Sequence, residues 1–242
     1  MRIKYIISGL LLCLCFACRK EFLENTNKSK LTDATQWSTE GNADLFLNDI
    51  YSALPNYWNQ PENLDNFTDD NDAGFYYTSY NWKQGIVSPS SSDYTVWGGI
   101  TGSGDLTNWP ATFNNIRKCN TFITSIEANA ANFSDTWKNK RIDEARFLRA
   151  FFYAELWQHV GGLPIITEPM DRRNNDSSEL YKARNTFAET VDFITSELDA
   201  VVKGEHLSVK YNHGESDAGR ATLGAALALK GWVELYAASP AF

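Results

Sequence analysis

Residues 143 to 169 read DEARFLRAFFYAELWQHVGGLPIITEP, and this stretch decides the fold of the chain. Its first half carries apolar residues every three or four positions on two helical faces, one with Ala145, Leu148, Phe152 and Leu156 and the other with Phe147, Phe151 and Ala154. A helix with two apolar faces packs between neighbours instead of lying on a surface. Gly161 and Gly162 are expected to end this helix, and Pro164 to begin an extended segment. The stretch therefore predicts a central helix.

Helical periodicity continues on both sides of this helix. It is present in residues 107–129, 183–202 and 219–240, and in a shorter segment that begins at residue 42 and is halted by Pro55. The segment nearest the C-terminus contains small residues that would let another backbone approach closely, namely Gly224, Ala225, Ala228 and Gly231. Helices of this kind, without a clean repeat period, predict an all-α fold of tetratricopeptide-like helix pairs with long irregular loops.

Residues 56–108 show no helical periodicity and are rich in Ser, Gly, Asn and Asp, yet they hold many aromatic rings. A structureless stretch of this length is usually functional or disordered, and its aromatic content argues against disorder. A flat ring can stack on the C–H face of a sugar while amides and carboxylates bind the sugar hydroxyls. The candidate ligand-binding residues are therefore Trp82, Trp97, Tyr80, Tyr76, Tyr77 and Tyr94, with Asn81 and Asp93 as polar partners. The alternative is that half or more of these rings pin the loop onto the helices.

Other notable side chains on the helices have structural explanations. Five aromatic residues are expected in the core: Trp109, Phe147, Phe151, Phe152 and Trp157. Cys119 lies in an apolar helical stretch and is expected to be a small buried hydrophobe. Arg146 and Arg149 are expected to form structural ion pairs or caps and not to contact ligand.

The N-terminal residues have the pattern of an export signal. Arg2 and Lys4 precede an apolar run that is too short to span a membrane. Ala17 stands directly before Cys18, which resembles a bacterial lipoprotein signal in which the cysteine after the cut is acylated. The pattern departs from the usual one at Cys15, where leucine is common.

We therefore expect residues 1–17 to be a lipoprotein signal peptide, Cys18 to carry the lipid, and residues 18–40 to form a lipidated tether. An ordinary secretory signal, cut nearby, is the alternative. Cleavage would leave Cys18 for the lipid and Cys119 unpaired, so the mature chain would have no possible internal disulfide.

Composition argues against several classes of partner. The 242-residue chain has a formal net charge of −8 at pH 7, and loss of Arg2 and Lys4 with the signal would take it to −10. Such a protein is repelled by nucleic-acid phosphates, so no nucleic-acid partner is expected. Scattered histidines predict no metal site, the acidic residues 69–72 lack EF-hand spacing, and the glycine-rich residues 98–105 lack the lysine of a phosphate loop. No cofactor is expected.

Three motifs, in this order, resemble the SusD/RagB family of outer-membrane nutrient-binding lipoproteins. They are WPATFNNIRKCN at residues 109–120, the opening stretch at residues 143–169, and GRATLGAALALKGWVELYAASPAF at residues 219–242. Together with the export signal they cover the chain from end to end, except for residues 56–108. The resemblance implies a tetratricopeptide-like all-α fold in which irregular loops form a shallow site for glycan or peptide.

The resemblance also implies a partner and a location. Family members are anchored in the outer membrane by lipid, face the cell surface, and sit over a TonB-dependent, SusC-like transporter to which they hand captured oligomers. Family chains continue well beyond the Ser-Pro motif at residues 239–240. Residues 41–242 are therefore expected to be the SusD-like N-terminal helical domain of a longer protein.

Two other classes of function stay open. A surface lipoprotein glycoside hydrolase would need two carboxylates held roughly 5 to 10 Å apart in a cleft, and any acidic protein supplies candidate pairs. A non-catalytic adaptor would bind a partner peptide through its helical groove. A capture protein, in contrast, binds without turnover, so the sequence assigns no catalytic residue.

Overall fold

The computed structural model describes residues 33–55, 68–70, 83–86, 109–171, 173 and 180–240. By internal contacts the chain divides into residues 1–35 and residues 36–242, and the second unit holds the helical bundle described below. The helices are α1 (Asp33–Gln36), α2 (Glu40–Tyr51), α3 (Trp109–Ala128), α4 (Asp135–Val160), α5 (Phe187–Gly204) and α6 (Leu223–Ala237), with a one-turn 3-10 helix at Ala130–Asn132. Every regular element in these ranges is helical, which confirms the all-α prediction. Within the same ranges, no helix is both long enough and apolar enough to cross a membrane.

Helices α2 and α3 run antiparallel. Near the end of α2, Asp49 pairs with Lys118 of α3 at 2.7 Å. At the start of α2, Glu40 accepts a hydrogen bond of 2.6 Å from the hydroxyl of Ser134, which follows α3. The C-terminus of α2 therefore points toward the end of the bundle at which α3 begins.

Aromatic contacts show that α3 to α6 also alternate in direction. Near the start of α3, Phe113 packs on Tyr153 of α4, with ring centroids 6.2 Å apart. Near the end of α4, Trp157 contacts Phe187 at the start of α5 (4.9 Å) and Tyr236 near the end of α6 (5.2 Å). Consecutive helices thus form antiparallel pairs, as the periodicity predicts.

One end of this bundle gathers the start of α3, the end of α4 and the start of α5. We call it the loop end and define it by Trp109, Val160 and Phe187. The chain enters α3 there at Trp109, and it passes from α4 to α5 there. The opposite end, where α2 and α4 begin, is called the entry end.

Helix α4 is the centre of the core. It packs against α3 and α5 and also contacts α2 and α6. These contacts confirm the prediction of a central helix with two apolar faces. Leu148, Phe152 and Leu156 are fully buried, and each such side chain stabilises the fold by about 1.5 to 3 kcal/mol. Cys119 of α3 is also fully buried, as expected, and burial raises the pKa of its thiol to about 12.

A buried ion-pair network docks α2 and the segment before α6 onto α4. The Glu144 carboxylate is fully buried and accepts hydrogen bonds from Arg141 (2.5 Å), Arg220 (2.9 Å) and the Tyr51 hydroxyl (3.0 Å). Arg141 also binds Asp44 of α2 at 2.8 Å. Because a buried charge is tolerated only when it is paired and hydrogen-bonded, these contacts fix the position of all three segments.

The sequence predicts that another backbone approaches the small residues of α6 closely, and the structure supports this for some of them only. A Cβ atom on Gly224 would lie 3.2 Å from the carbonyl oxygen of Val209, so the expectation holds at this position. A Cβ atom on Gly231 would meet nothing within 4 Å, and Ala228 is exposed. The expectation is wrong for these two residues because only the inner face of α6 packs on the bundle.

Candidate ligand-binding site

The residues that the sequence assigns to ligand binding and lipidation lie outside the described residues. This applies to Cys18 and to the loop positions Tyr76, Tyr77, Tyr80, Asn81, Trp82, Asp93, Tyr94 and Trp97. Of the acidic cluster near residue 70, Asp69 and Asp70 are described and are exposed. The site is therefore described through the helices from which residues 56–108 leave and to which they return.

The connection after α4 is an extended segment whose backbone N–H groups are bound by side chains. Leu163 donates to the Thr190 hydroxyl (3.0 Å), Ile165 to the Asn185 carbonyl oxygen (3.1 Å), and Ile166 to the Tyr153 hydroxyl (2.8 Å). Buried backbone groups need such partners whether or not a sheet supplies them. Among the described residues, the segment predicted as extended from Pro164 is therefore held in place by side-chain hydrogen bonds and not by pairing to a strand.

The carbonyl groups of the same segment are bound just as densely. Within the described residues, nine carbonyls of residues 160 to 170 accept hydrogen bonds, from Arg184 (to Val160 and Gly162), the Asn185 N–H (to Leu163), Tyr153 (to Pro164), Lys182 (to Ile165), Asn120 (to Ile166 and Glu168), Arg149 (to Thr167) and Arg117 (to Met170). Donors from α3, α4 and the segment before α5 thus converge on one stretch of backbone. The loop end has a firm backbone framework.

Arg149 is the central donor of this framework. Its guanidinium group is buried and binds Glu197 of α5 at 2.5 and 2.8 Å and the Asn120 side chain at 2.8 Å. This confirms the prediction that Arg149 has a structural role. The role of Asn120 was missed, although an asparagine in step with the apolar positions of α3 is a signal of a buried hydrogen bond.

Burial keeps two titratable side chains of α4 uncharged near its C-terminal end. Burial raises the pKa of the Tyr153 phenol, so it stays protonated and can donate to Pro164 while accepting from Ile166. Burial lowers the pKa of His159 to about 4, so its ring is neutral at neutral pH. Among the described residues, no group of three or more His, Cys, Asp and Glu side chains is placed to hold a metal ion.

Aromatic rings line the base of the loop end. Trp109 packs on Phe113 with ring centroids 5.0 Å apart, and Tyr153 packs on Phe193 at 4.9 Å. The Arg184 guanidinium covers the Trp109 ring at 5.7 Å. The prediction of core positions is confirmed: Phe152 and Trp157 are fully buried, whereas Trp109, Phe147 and Phe151 are partly buried against the core.

One aromatic residue of the loop end was not predicted. Tyr181 lies in the connection between α4 and α5, and its side chain is 84 % exposed. Its immediate neighbour Lys182 and the nearby Arg184 are both bound to the extended segment. The available signal was an isolated aromatic residue in a polar stretch between Pro169 and the start of α5.

The sequence profile of the SusD-like family, described as starch-binding and associating with the outer membrane, matches residues 21–232. The chain therefore belongs to the SusD-like family. None of the curated proteins compared with the chain matches it.

Solved structures of SusD-like proteins share the fold. A SusD-like protein from Bacteroides fragilis is 27% identical, with a TM-score of 0.66 over 85% of this chain and 36% of the other. A SusD-like carbohydrate-binding protein from the same species is 22% identical (TM-score 0.60; 82% and 37%), and a laminarin-binding SusD-like protein is 19% identical (TM-score 0.63; 83% and 41%). The chain thus spans about two-fifths or less of the length of these structures.

Proposed function

We propose that the protein is a non-catalytic cell-surface lipoprotein that captures glycan nutrients and delivers them to a TonB-dependent outer-membrane transporter. The observation that carries the proposal is the match of residues 21–232 to a family described as starch-binding and outer-membrane-associated. Structures that share the fold include a carbohydrate-binding and a laminarin-binding protein. The framework at the loop end supports the proposal because it supplies a firm base for a loop site.

Within this proposal, the ligand contacts come mainly from residues 56–108. Trp82 and Trp97 are the leading stacking platforms because tryptophan offers the widest ring face. The tyrosines at positions 76, 77, 80 and 94 provide further stacking surface, while Asn81 and Asp93 bind hydroxyl groups. A peptide with hydrophobic side chains is the alternative ligand, since it could use the same rings.

Replacing either leading tryptophan by alanine is expected to weaken glycan binding about thirtyfold. Loss of a well-packed aromatic anchor costs about 2 kcal/mol or more, which corresponds to that factor in affinity. Isothermal titration calorimetry with soluble starch and laminarin measures the change for Trp82→Ala and Trp97→Ala, with Trp82→Phe and Trp97→Phe as matched controls that keep a ring.

Melting temperatures of the same variants separate contact from packing. Weaker binding at an unchanged melting temperature supports a contact role. A lowered melting temperature in both alanine variants would show that the rings pin the loop and would move the site elsewhere. Release of shorter sugars from either polysaccharide would favour a glycoside hydrolase instead.

Acylation of Cys18 is proposed to hold the protein in the outer membrane. A diacylglycerol with an added amide-linked chain gives more than one anchor, which makes attachment stable. Cys18→Ser is expected to leave uncleaved or soluble protein, as measured by membrane fractionation of whole cells. Cys13→Ser and Cys15→Ser are the matched controls and should fractionate with membrane. Normal anchoring of the Cys18→Ser protein would contradict the assignment.

The transporter is the proposed macromolecular partner. A lipoprotein that captures oligomers without cleaving them needs a route for them across the membrane, and a TonB-dependent barrel provides it. Copurification of the lipid-anchored protein with such a barrel, together with glycan binding, distinguishes this role from a pure adaptor. An adaptor would copurify with its partner but show no glycan affinity.

A further inference from the structure

We infer that the outer face of α6 is a docking surface for an apolar helix, which belongs to the part of a SusD-like chain that has no counterpart in these 242 residues. This face consists of the exposed residues on the side of α6 that points away from the bundle: Gly224, Leu227, Ala228, Gly231, Trp232 and Leu235. Membership of the SusD-like family is the premise, and the proposed glycan function is not needed.

The outer face of α6 is apolar although it is exposed to solvent. Leu227 is 55 % exposed, Trp232 36 % and Leu235 75 %. On the opposite side of the helix, Ala226 and Val233 are fully buried in the core of the bundle. A helix on a protein surface carries polar residues on its outer side, whereas a helix that is apolar all round is buried on all sides. Helix α6 therefore has the composition of a helix with neighbours on two sides.

The adjacent helix α5 shows the pattern expected of a solvated outer side. Its exposed residues are mostly polar, namely Ala188, Glu189, Asp192, Ser196 and Lys203. Within α6, Glu234 is the only exposed polar residue, and Lys230 turns toward α5, where it pairs with Asp199 at 2.6 Å. Contact with water therefore accounts for the outer side of α5 but not for that of α6.

Small residues form a strip along the middle of this face. A Cβ atom on Gly231 would meet nothing within 4 Å, and Ala228 is exposed one turn before it. By helical spacing, Leu227 and Trp232 lie on opposite sides of the strip, which leaves a groove between two larger side chains. A second helix packs by placing a ridge of its side chains into such a groove. The occupant is therefore a helix with large aliphatic or aromatic residues along one side.

The size of the face argues against a second copy of this chain as the occupant. With 15 residues, α6 is about 22 Å long and about 10 Å wide, so its outer face falls well below the roughly 800 Å² per partner that a stable interface between separate chains buries. A segment of the same chain needs less contact area, because the covalent link spares the entropy that separate molecules lose when they associate.

The lengths of the solved SusD-like structures indicate where such a segment comes from. This chain spans 36%, 37% and 41% of three of them, so more than half of each has no counterpart here. A remainder of that size needs a surface of the shared helical bundle on which to pack. Contiguous exposed apolar surface marks such contact sites, and the outer face of α6 provides it.

Dye binding by the chain without its signal peptide and lipid measures the exposed surface. Anilinonaphthalene sulfonate is expected to fluoresce on binding, and the double variant Leu227→Gln with Leu235→Gln is expected to reduce that fluorescence about threefold or more. Leu45→Gln is the matched control, since Leu45 is 57 % exposed on α2, away from this face. It should leave most of the fluorescence in place.

A chimera identifies the occupant. The segment of the 27%-identical Bacteroides fragilis protein that follows its counterpart of α6 is joined after residue 242. Dye fluorescence is expected to fall to the level of the double variant, and amide hydrogen exchange in residues 223–237 is expected to slow about tenfold or more because the helix becomes buried on both sides. The double variant should abolish this protection in the chimera, whereas Leu45→Gln should keep it.

Three results would overturn the inference. A chain that binds no dye by itself would show that its own residues already cover α6. A dimer in light scattering that the double variant dissociates would make a second copy the occupant. The third is a lack of added protection of α6, both in this chimera and in one built with the same segment of the laminarin-binding protein.

Discussion

Replacing Arg149 by methionine is expected to lower the free energy of unfolding by about 3 to 5 kcal/mol. Removing one partner of a buried ion pair leaves the other charge buried without compensation, and the cost is of this size. Here the change leaves the Glu197 carboxylate without its ion-pair partner. It also removes the hydrogen bonds that Arg149 donates to the Asn120 side-chain oxygen and to the Thr167 carbonyl. Urea denaturation followed by circular dichroism measures the change.

Two further variants show whether the uncompensated charge causes the loss. The double variant Arg149→Met with Glu197→Leu removes both charges and is expected to recover part of the lost stability. Arg173→Met removes the arginine of an exposed pair with Asp171 and should change stability by less than about 1 kcal/mol. Equal stability of wild type and Arg149→Met would show that the framework does not depend on this ion pair.

Replacing Gly162 by alanine is expected to lower the free energy of unfolding by about 3 kcal/mol. An added Cβ atom would lie 2.0 Å from the carbonyl oxygen of Asn185 and 2.7 Å from the carbonyl carbon of Thr186, which is far inside van der Waals contact with backbone. Backbone cannot yield as a flexible side chain can, so the connection before α5 must shift. That shift disturbs the capping box in which Thr186 and Glu189 bind each other's backbone N–H groups.

The matched control is Gly231→Ala on the outer face of α6. A Cβ atom there would meet nothing within 4 Å, and alanine favours a helix more than glycine by up to about 1 kcal/mol. Gly231→Ala is therefore expected to melt at or above the wild-type temperature. The interpretation fails if Gly162→Ala and Gly231→Ala change the melting temperature in the same direction and by the same amount.

The helices and their order are predictable from local signals. Apolar residues at steps of three or four, together with Gly161 after α4, predict where the long helices lie to within a few residues. The two apolar faces around Leu148 and Phe151 predict that α4 is central. These features depend on residues close in sequence, so periodicity and capping residues reveal them.

The candidate site is less predictable because its framework joins residues that are distant in sequence. Asn120 and Ile166 are 46 residues apart, and Arg149 and Glu197 are 48 apart. A polar residue in a helix does not reveal by itself which carbonyl it will bind. The exposure of Tyr181 was missed for the same reason, since burial depends on what packs nearby.

Composition and periodicity alone therefore determined the all-α class, the central position of α4 and the stretch, residues 56–108, proposed to bind ligand. Tertiary packing decided the rest: which small residues of α6 meet a neighbour, which donors among the described residues bind the nine carbonyls between residues 160 and 170, and which loop-end ring stays in solvent. The physical reason is the separation in sequence between the interacting residues. Helix formation is encoded within a few turns of chain, whereas hydrogen-bond partners, close backbone approaches and side-chain exposure exist only after distant segments have docked.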